Sequence, residues 1–386
     1  MEQKRFNFID CGRLVCILWV CIVHSGTRLP DDLGIGILLM PFFFFIFGFF
    51  CKPEKYTFGK FAAARFKQIL IPFFLVQPFC FVLDLFRSNI FALGVSAADF
   101  AKSYFLFSLY GSGVFPPFSF FGAFSLPQFG ETQSSISCSL LNTPTWFLPV
   151  MFTASLLFYP LARLLEKKCS LLNLSAVLFC LFYLAGIETQ FTYTFQLPWG
   201  LGRAFLAAGI MLIGSFVRKK GIFENTSKRD QLLIYAASVV SISASILTGT
   251  TGDMVCTNYM SEAGYYSVLI LGVGGTALSC ALLIILKRLE EKYGKTKLFQ
   301  LIALSGRKTM WIYILHVPVF FFFDMLFFAC GIQPEPFNYN CNLYPYNMTT
   351  FLPHAVQVIC TVVFCIFVAC AWEKHKNNSK HLPQKC

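Results

Sequence analysis

Three ionisable side chains fall within one apolar run close to the start of the chain: Asp10, Arg13 and His24 in RFNFIDCGRLVCILWVCIVH. On a helix, Arg13 and His24 share a face to within about 20° and stand about 16 Å apart along the axis. Asp10 lies one turn before Arg13 and can pair with it. A charged group at the centre of a membrane span costs roughly 2.5–3.5 kcal/mol, so each one is a functional candidate. The chemistry on offer is acid–base. An imidazole takes and returns a proton near neutral pH, as acyl transfer to a hydroxyl requires. Taken one at a time, Asp10 and Arg13 also read as a helix-end ion pair, and His24 as an interface histidine. Their common face argues for a joint role.

Composition says what kind of element must hold these residues. Of 386 residues, 56% are hydrophobic and 13% charged, against about 25% charged in an average soluble domain. That balance excludes a water-soluble globule and, equally, a disordered chain. Gly and Pro number 26 and 18 and show no period, which excludes collagen-like repeats. A net charge of +12 would suggest nucleic acid in a soluble protein. In an apolar chain it marks cytoplasmic loops instead, and no basic helix, zinc finger or aromatic RNA motif accompanies it. The 16 Cys include no C-x-x-C pair and form no metal framework. Cys11, Cys16 and Cys21 repeat every five residues, as do Cys360, Cys365 and Cys370, and diverge around a helix as small membrane residues do. GxSxG, GxGxxG, P-loop and HExxH patterns are absent from the sequence.

The expected fold is all-α: a polytopic integral membrane protein with about ten transmembrane helices. Ten apolar segments reach the length of a span: 8–28, 33–51, 69–87, 145–162, 170–187, 200–217, 231–248, 264–286, 309–330 and 351–372. Lys and Arg concentrate in alternate connections. That places 52–68, 218–230 and 287–297 in the cytoplasm, 88–144 and 331–350 outside, and both termini inside. The external stretch 88–144 contains FPPFSFFGAFSLPQF (115–129), too broken by Pro to span and suited to the interface. With no linker or internal repeat, 1–386 reads as a single membrane-embedded domain with a basic cytoplasmic tail, 373–386. Cys138, Cys256 and Cys341, with Cys330, are the cysteines from which a disulfide could form on the outer side.

Ile9-Asp10-Cys11-Gly12-Arg13, followed by His24, resembles the first-helix signature of the acyltransferase-3 family of integral membrane O-acyltransferases. MPFFFFIFGFF (40–50) resembles that family's second helix. FAAARFKQILIP (61–72) resembles its basic cytoplasmic loop, and TWFLPVMF (145–152) its Trp-Phe-Leu block. GRAFLAAGIMLIGSFVRK (202–219) and LSGRKTMWIYILHVPV (304–319) resemble its small-residue helix and its late Tyr-x-x-His block. The blocks occur in order from residue 5 to about 320.

The resemblance implies transfer of an acyl group, commonly acetyl, from cytoplasmic acyl-CoA to a sugar hydroxyl on the outer side. The setting it implies is the plasma (inner) membrane of a bacterium, with the chain crossing many times. His24 would be the catalytic base, Arg13 part of the same motif, and Asp10 the group that orients Arg13. In the cytoplasmic loop the family often carries two arginines three apart. Here Arg65 is followed by Gln68, with Lys67 between them. Arg65 and Lys67 are therefore the expected donor contacts, with ordinary positive-inside anchoring as the other reading.

His316 is placed to reach the acyl-donor channel, or else packs as a hydrogen-bonded core histidine. Trp146 can stack on a sugar or sit in an interfacial belt. Arg203, a cation just inside an outer helix end, can pair with Glu188 or Asp253 or contact the acceptor. Asp84 and Asp324 read as interface residues. No permanently bound cofactor and no metal is expected; acetyl-CoA or another acyl-CoA is the co-substrate. The expected partners are the bilayer and a glycan acceptor, with no nucleic acid. The expected product is an O-acetylated surface polysaccharide or lipid-linked precursor. The rival is a transporter exporting a glycan or lipid-linked sugar. It would need no CoA and would show paired halves with broken helices, a symmetry this sequence lacks.

Overall fold

A computed structural model of the chain describes residues 6–25, 33–87, 97–110, 143–167, 170–191, 198–250, 263–331 and 348–380. Among these, the regular elements are all helical and no strand occurs. We number the helices α1 (Asn7–His24), α2 (Gly36–Phe50), α3 (Phe58–Arg65), α4 (Ile71–Arg87), α5 (Ala97–Tyr110), α6 (Phe147–Lys167) and α7 (Leu171–Phe191). They continue as α8 (Leu201–Lys219), α9 (Lys228–Thr248), α10 (Ala263–Leu269), α11 (Gly275–Tyr293), α12 (Lys297–Gly306), α13 (Thr309–Ala329) and α14 (Met348–Lys380). Five-residue π-helical turns join α3 to α4 (Phe66–Leu70) and α10 to α11 (Ile270–Gly274).

Eight helices among the described residues are long and apolar enough to cross a bilayer. Two shorter apolar helices, Gly36–Phe50 and Leu171–Ile187, fall on the remaining expected spans. The protein is thus an all-α polytopic membrane protein. The 15 residues of α2 reach only about 22 Å, less than the roughly 30 Å of a hydrocarbon core. Apolar side chains such as Leu247 and Phe179 are widely exposed, as a lipid-facing surface allows.

Helix also occurs beyond the expected spans. Within 88–144, the stretch expected outside, lies a regular helix, α5, and 115–129 is outside the described residues. The tail expected from residue 373 is helical as far as Lys380. At 33 residues, α14 reaches about 50 Å, and hydropathy alone stops at the last apolar turn. Most of 331–350, together with Cys138, Cys256 and Cys341, lies outside the described residues.

Packing divides the chain into two compact units, Met1–Thr27 with Ile285–Cys386, and Arg28–Ile284. In the first, α1 packs on α12, α13 and α14, and α13 packs on α14. Its core includes Cys16, Ile17 and Cys21 from α1, Ile312 and Phe320 from α13, and Cys365 and Ala369 from α14. In the second, α8 is the hub and packs on α2, α6 and α7. Backbone contact between α2 and α8 depends on glycine. A Cβ on Gly48 would lie 1.9 Å from the Met211 carbonyl oxygen, and one on Gly214 would lie 2.2 Å from that of Phe45. Lipid tails are as apolar as the helices, so close packing of this kind is what holds membrane helices together. Capping is local: Ser227 accepts from the Asp230 amide at 3.1 Å, and Asp230 accepts from the Ser227 amide at 3.3 Å, which opens α9.

Candidate functional site

The first helix delivers its charged residues where the periodicity places them. Asp10 is 6% exposed, and one carboxylate oxygen accepts from Arg13 Nη1 at 2.9 Å. Its other oxygen accepts from Arg307 Nε at 3.2 Å. Arg307 in turn donates through Nη2 to Asn7 Oδ1 at 3.1 Å. One buried carboxylate thus serves two guanidiniums, as its four lone-pair sites allow. The junction closes because α12 ends in Gly306. A Cβ there would lie 1.8 Å from the Asp10 carbonyl oxygen. Next to it, Lys308 pairs with Glu373 of α14.

At the opposite end of α1, His24 Nδ1 lies 2.7 Å from His316 Nε2 on α13. The ring planes meet at 11° with centroids 5.0 Å apart. Parallel rings with so short an N···N distance and such distant centres lie edge to edge, the alignment a strong hydrogen bond prefers. His316 Nδ1 lies 2.7 Å from the Tyr313 carbonyl oxygen and 3.2 Å from that of Ile312. His316 is fully buried, with Phe320 edge-on to its ring at 5.7 Å, whereas His24 is partly exposed. Gln357 of α14 braces the same stretch of α13 by donating to the Phe320 carbonyl at 3.3 Å.

The second unit holds the other candidates. Arg65 donates from Nη1 to Gln68 Oε1 at 2.8 Å. Its guanidinium sits 4.7 Å from the Phe47 ring centre and 5.0 Å from that of Phe61. Its Nε is buried without a hydrogen-bond acceptor. Gln68 thus holds Arg65 in place, while Lys67 is exposed. Both residues lie where the helix widens into its π turn, a distortion frequent at functional sites.

Arg203, in the first turn of α8, is 8% exposed. Its guanidinium covers the Trp146 ring at 4.5 Å, a cation–π pair. The side chains of Glu188 and Asp253, suggested as its partners, lie outside the described residues. Trp199, just before α8, has φ 58, a left-handed conformation costly for so bulky a residue. Thr153 donates to its carbonyl at 3.3 Å, and Phe152 lies 6.0 Å from its ring.

Asp84, near the end of α4, faces the protein interior. It is fully buried, on the same face of α4 as Gln77, seven residues earlier. Gln77 donates to Thr145 at 3.3 Å and accepts from Ser108 at 2.9 Å, so polar residues of α4 and α5 meet beside Trp146. The side chain of Asp324 lies outside the described residues. Among the described residues, no group of three or more His, Cys, Asp or Glu side chains could hold a metal ion.

Sequence reasoning missed Arg307, Gln77, Ser108 and Trp199 as members of these clusters. Arg307 carried one signal, its place in LSGRKTMWIYILHVPV; the others carried none that sets them apart from neighbours.

An ion-paired helix end and an imidazole pair thus lie within one unit of a helical membrane bundle. The acyltransferase domain of the acyltransferase-3 family matches residues 6–373, nearly the whole chain. The chain belongs to that family and is a membrane acyltransferase. Neither the curated proteins nor the solved structures gave a match.

Proposed function

We propose that the protein takes acetyl from acetyl-CoA on the cytoplasmic side and transfers it to a hydroxyl of a cell-surface polysaccharide or lipid-linked glycan precursor. The membrane in this reading is the bacterial plasma (inner) membrane, with both termini cytoplasmic. The observation that carries it is the unequal access of the two imidazoles. His316 is sealed in the protein, and His24 is partly exposed. His24 is therefore the ring a substrate can touch.

As the acceptor oxygen attacks the thioester carbonyl, His24 takes the hydroxyl proton. A C–O bond replaces the C–S bond. The CoA thiolate leaves and recovers the proton from His24, so the ring ends neutral. Asp10 and Arg13 hold the other end of the helix that carries the base. Arg65 and Lys67 contact the anionic donor. The buried Arg65 Nε without an acceptor supports this, since an orphaned donor is costly unless a ligand completes it. His316, expected near the donor, stands beside His24 with no exposed surface, so it acts through His24 rather than on the donor. Trp146 and Arg203 offer an aromatic face and a planar fork, which suit a sugar ring and its hydroxyls.

The test is acetyl-CoA binding by the purified protein in detergent, followed by transfer of labelled acetyl to glycan from the host. Binding with transfer supports the reading. A protein that binds no acyl-CoA and moves a lipid-linked sugar across vesicles would be an exporter.

A further inference from the structure

We infer that His316 is a positioning residue that fixes the tautomer of His24 and so decides which ring nitrogen receives the proton. A carbonyl oxygen can only accept. His316 Nδ1 sits 2.7 Å from the Tyr313 carbonyl oxygen, so it carries a hydrogen. His316 is fully buried, beside Tyr313 and Phe320, where a charged ring would be expensive. The neutral ring, protonated at Nδ1, presents a lone pair at Nε2. His24 Nδ1 lies 2.7 Å from that lone pair and must be the donor. The lone pair of neutral His24 is then at Nε2, the atom that takes the proton.

The backbone of α13 thus dictates, through two rings, which nitrogen of α1 is basic. The device places an imidazole where catalytic histidines often have a carboxylate or carbonyl. When His24 becomes cationic during transfer, its Nδ1–H strengthens the same bond. Gln357 keeps α13 in register by holding the Phe320 carbonyl one turn further on. The consequence for turnover rests on His24 being the base; the tautomer itself does not.

The experiment uses the full chain in detergent micelles, labelled with ¹⁵N-histidine, with His354, His375 and His381 replaced by Gln. In the resting protein both remaining rings are expected to show a protonated Nδ1 and an unprotonated Nε2. In His316→Leu, the remaining ring, His24, should lose that preference and populate the Nε2–H form. Activity supplies the second arm. His316→Leu should lower kcat by about 10²-fold or more while the KM for acetyl-CoA stays within about threefold. His316→Gln, whose amide oxygen can accept the same bond, should recover at least about tenfold of that loss. Finding His24 as the Nε2–H tautomer in the unsubstituted pair, or no recovery by Gln relative to Leu, would overturn the inference. If the tautomers are as expected but His24→Gln turns over normally, the assignment of His24 as base fails and the geometric inference stands.

Discussion

Asp10 Oδ2 and Arg307 Nε lie 3.2 Å apart, although 297 residues separate them in the chain. The contact ties the N-terminal turn of α1 to the end of α12. Because Asp10 already holds Arg13 at 2.9 Å, the carboxylate is the shared member of both pairs, and removing it costs more than removing either arginine.

Asp10→Asn is expected to lower the thermal-shift midpoint in detergent more than Arg307→Gln does. Asp10→Asn takes the charge from a buried carboxylate that serves two half-buried guanidiniums, so its cost should fall below the roughly 1–3 kcal/mol of a fully buried unpaired donor, whereas a glutamine at 307 can still donate to Asp10 or Asn7. The double variant should fall short of the sum of the single effects by about 0.5–3 kcal/mol, as contacting residues do. Strict additivity across the cycle would show that the pair contributes nothing.

Gly214→Leu is expected to prevent accumulation of folded protein. A Cβ there meets the Phe45 carbonyl at 2.2 Å, and backbone cannot swing aside as a side chain can. Gly59→Ala is the matched control. Nothing lies within 4 Å of its Cβ position, and in the first turn of α3 the change should leave stability equal or raise it, by less than the roughly 0.5–1 kcal/mol of a mid-helix site. Fluorescence-detected gel filtration of the two variants checks this, and a monodisperse Gly214→Leu protein would contradict the tight α2–α8 contact.

Most helices were legible because apolar length is a local property. The Asp10–Arg13 pair was legible for the same reason, since residues three apart are neighbours on a helix surface. What the sequence hid is everything joined across the fold. Arg307 looked like one more cytoplasmic cation until Gly306 brought α12 onto Asp10. His316 read equally as a donor-channel residue or a packed, hydrogen-bonded histidine; it is packed and hydrogen-bonded, but nothing in a one-dimensional pattern places its Nε2 beside His24. Asp84 looked interfacial from its position near a helix end; its burial depends on which face α4 turns inward. The left-handed Trp199 had no signal, because such conformations are imposed by the surroundings of a residue rather than by its type.

Arg203→Lys and Trp146→Ala should weaken the acceptor rather than the donor side of the reaction. The lysine keeps the charge but loses the planar stack over the ring, and a cation–π pair contributes about 0.5–2 kcal/mol. The KM for the glycan acceptor is expected to rise by about 3–30-fold, with acetyl-CoA binding unchanged. Calorimetry with acetyl-CoA and initial rates over a range of acceptor concentrations separate the two. Lost donor binding in either variant would move Trp146 and Arg203 out of the acceptor site.

The sharpest prediction concerns His24 itself. His24→Ala should leave the protein folded, because the ring is only partly buried and lies in the last turn of α1. Acyl transfer should nevertheless fall by about 10²–10⁴-fold, the range for a lost acid–base group. His24→Gln should fail almost as badly. Its amide can still donate to His316 Nε2, so the local structure survives, but it has no lone pair that accepts a proton at neutral pH. Arg13→Lys should also be impaired, since a point charge cannot reproduce the fork that meets Asp10. Donor binding separates the roles: a base that acts on the acceptor adds little ground-state affinity for acetyl-CoA, so His24→Ala should bind it normally. Product formation and acetyl-CoA binding, measured for the three variants at matched expression, decide the matter. A His24→Gln protein with near-normal turnover would return the histidine to a packing role at the end of α1, and the proton would have to leave the acceptor by another path.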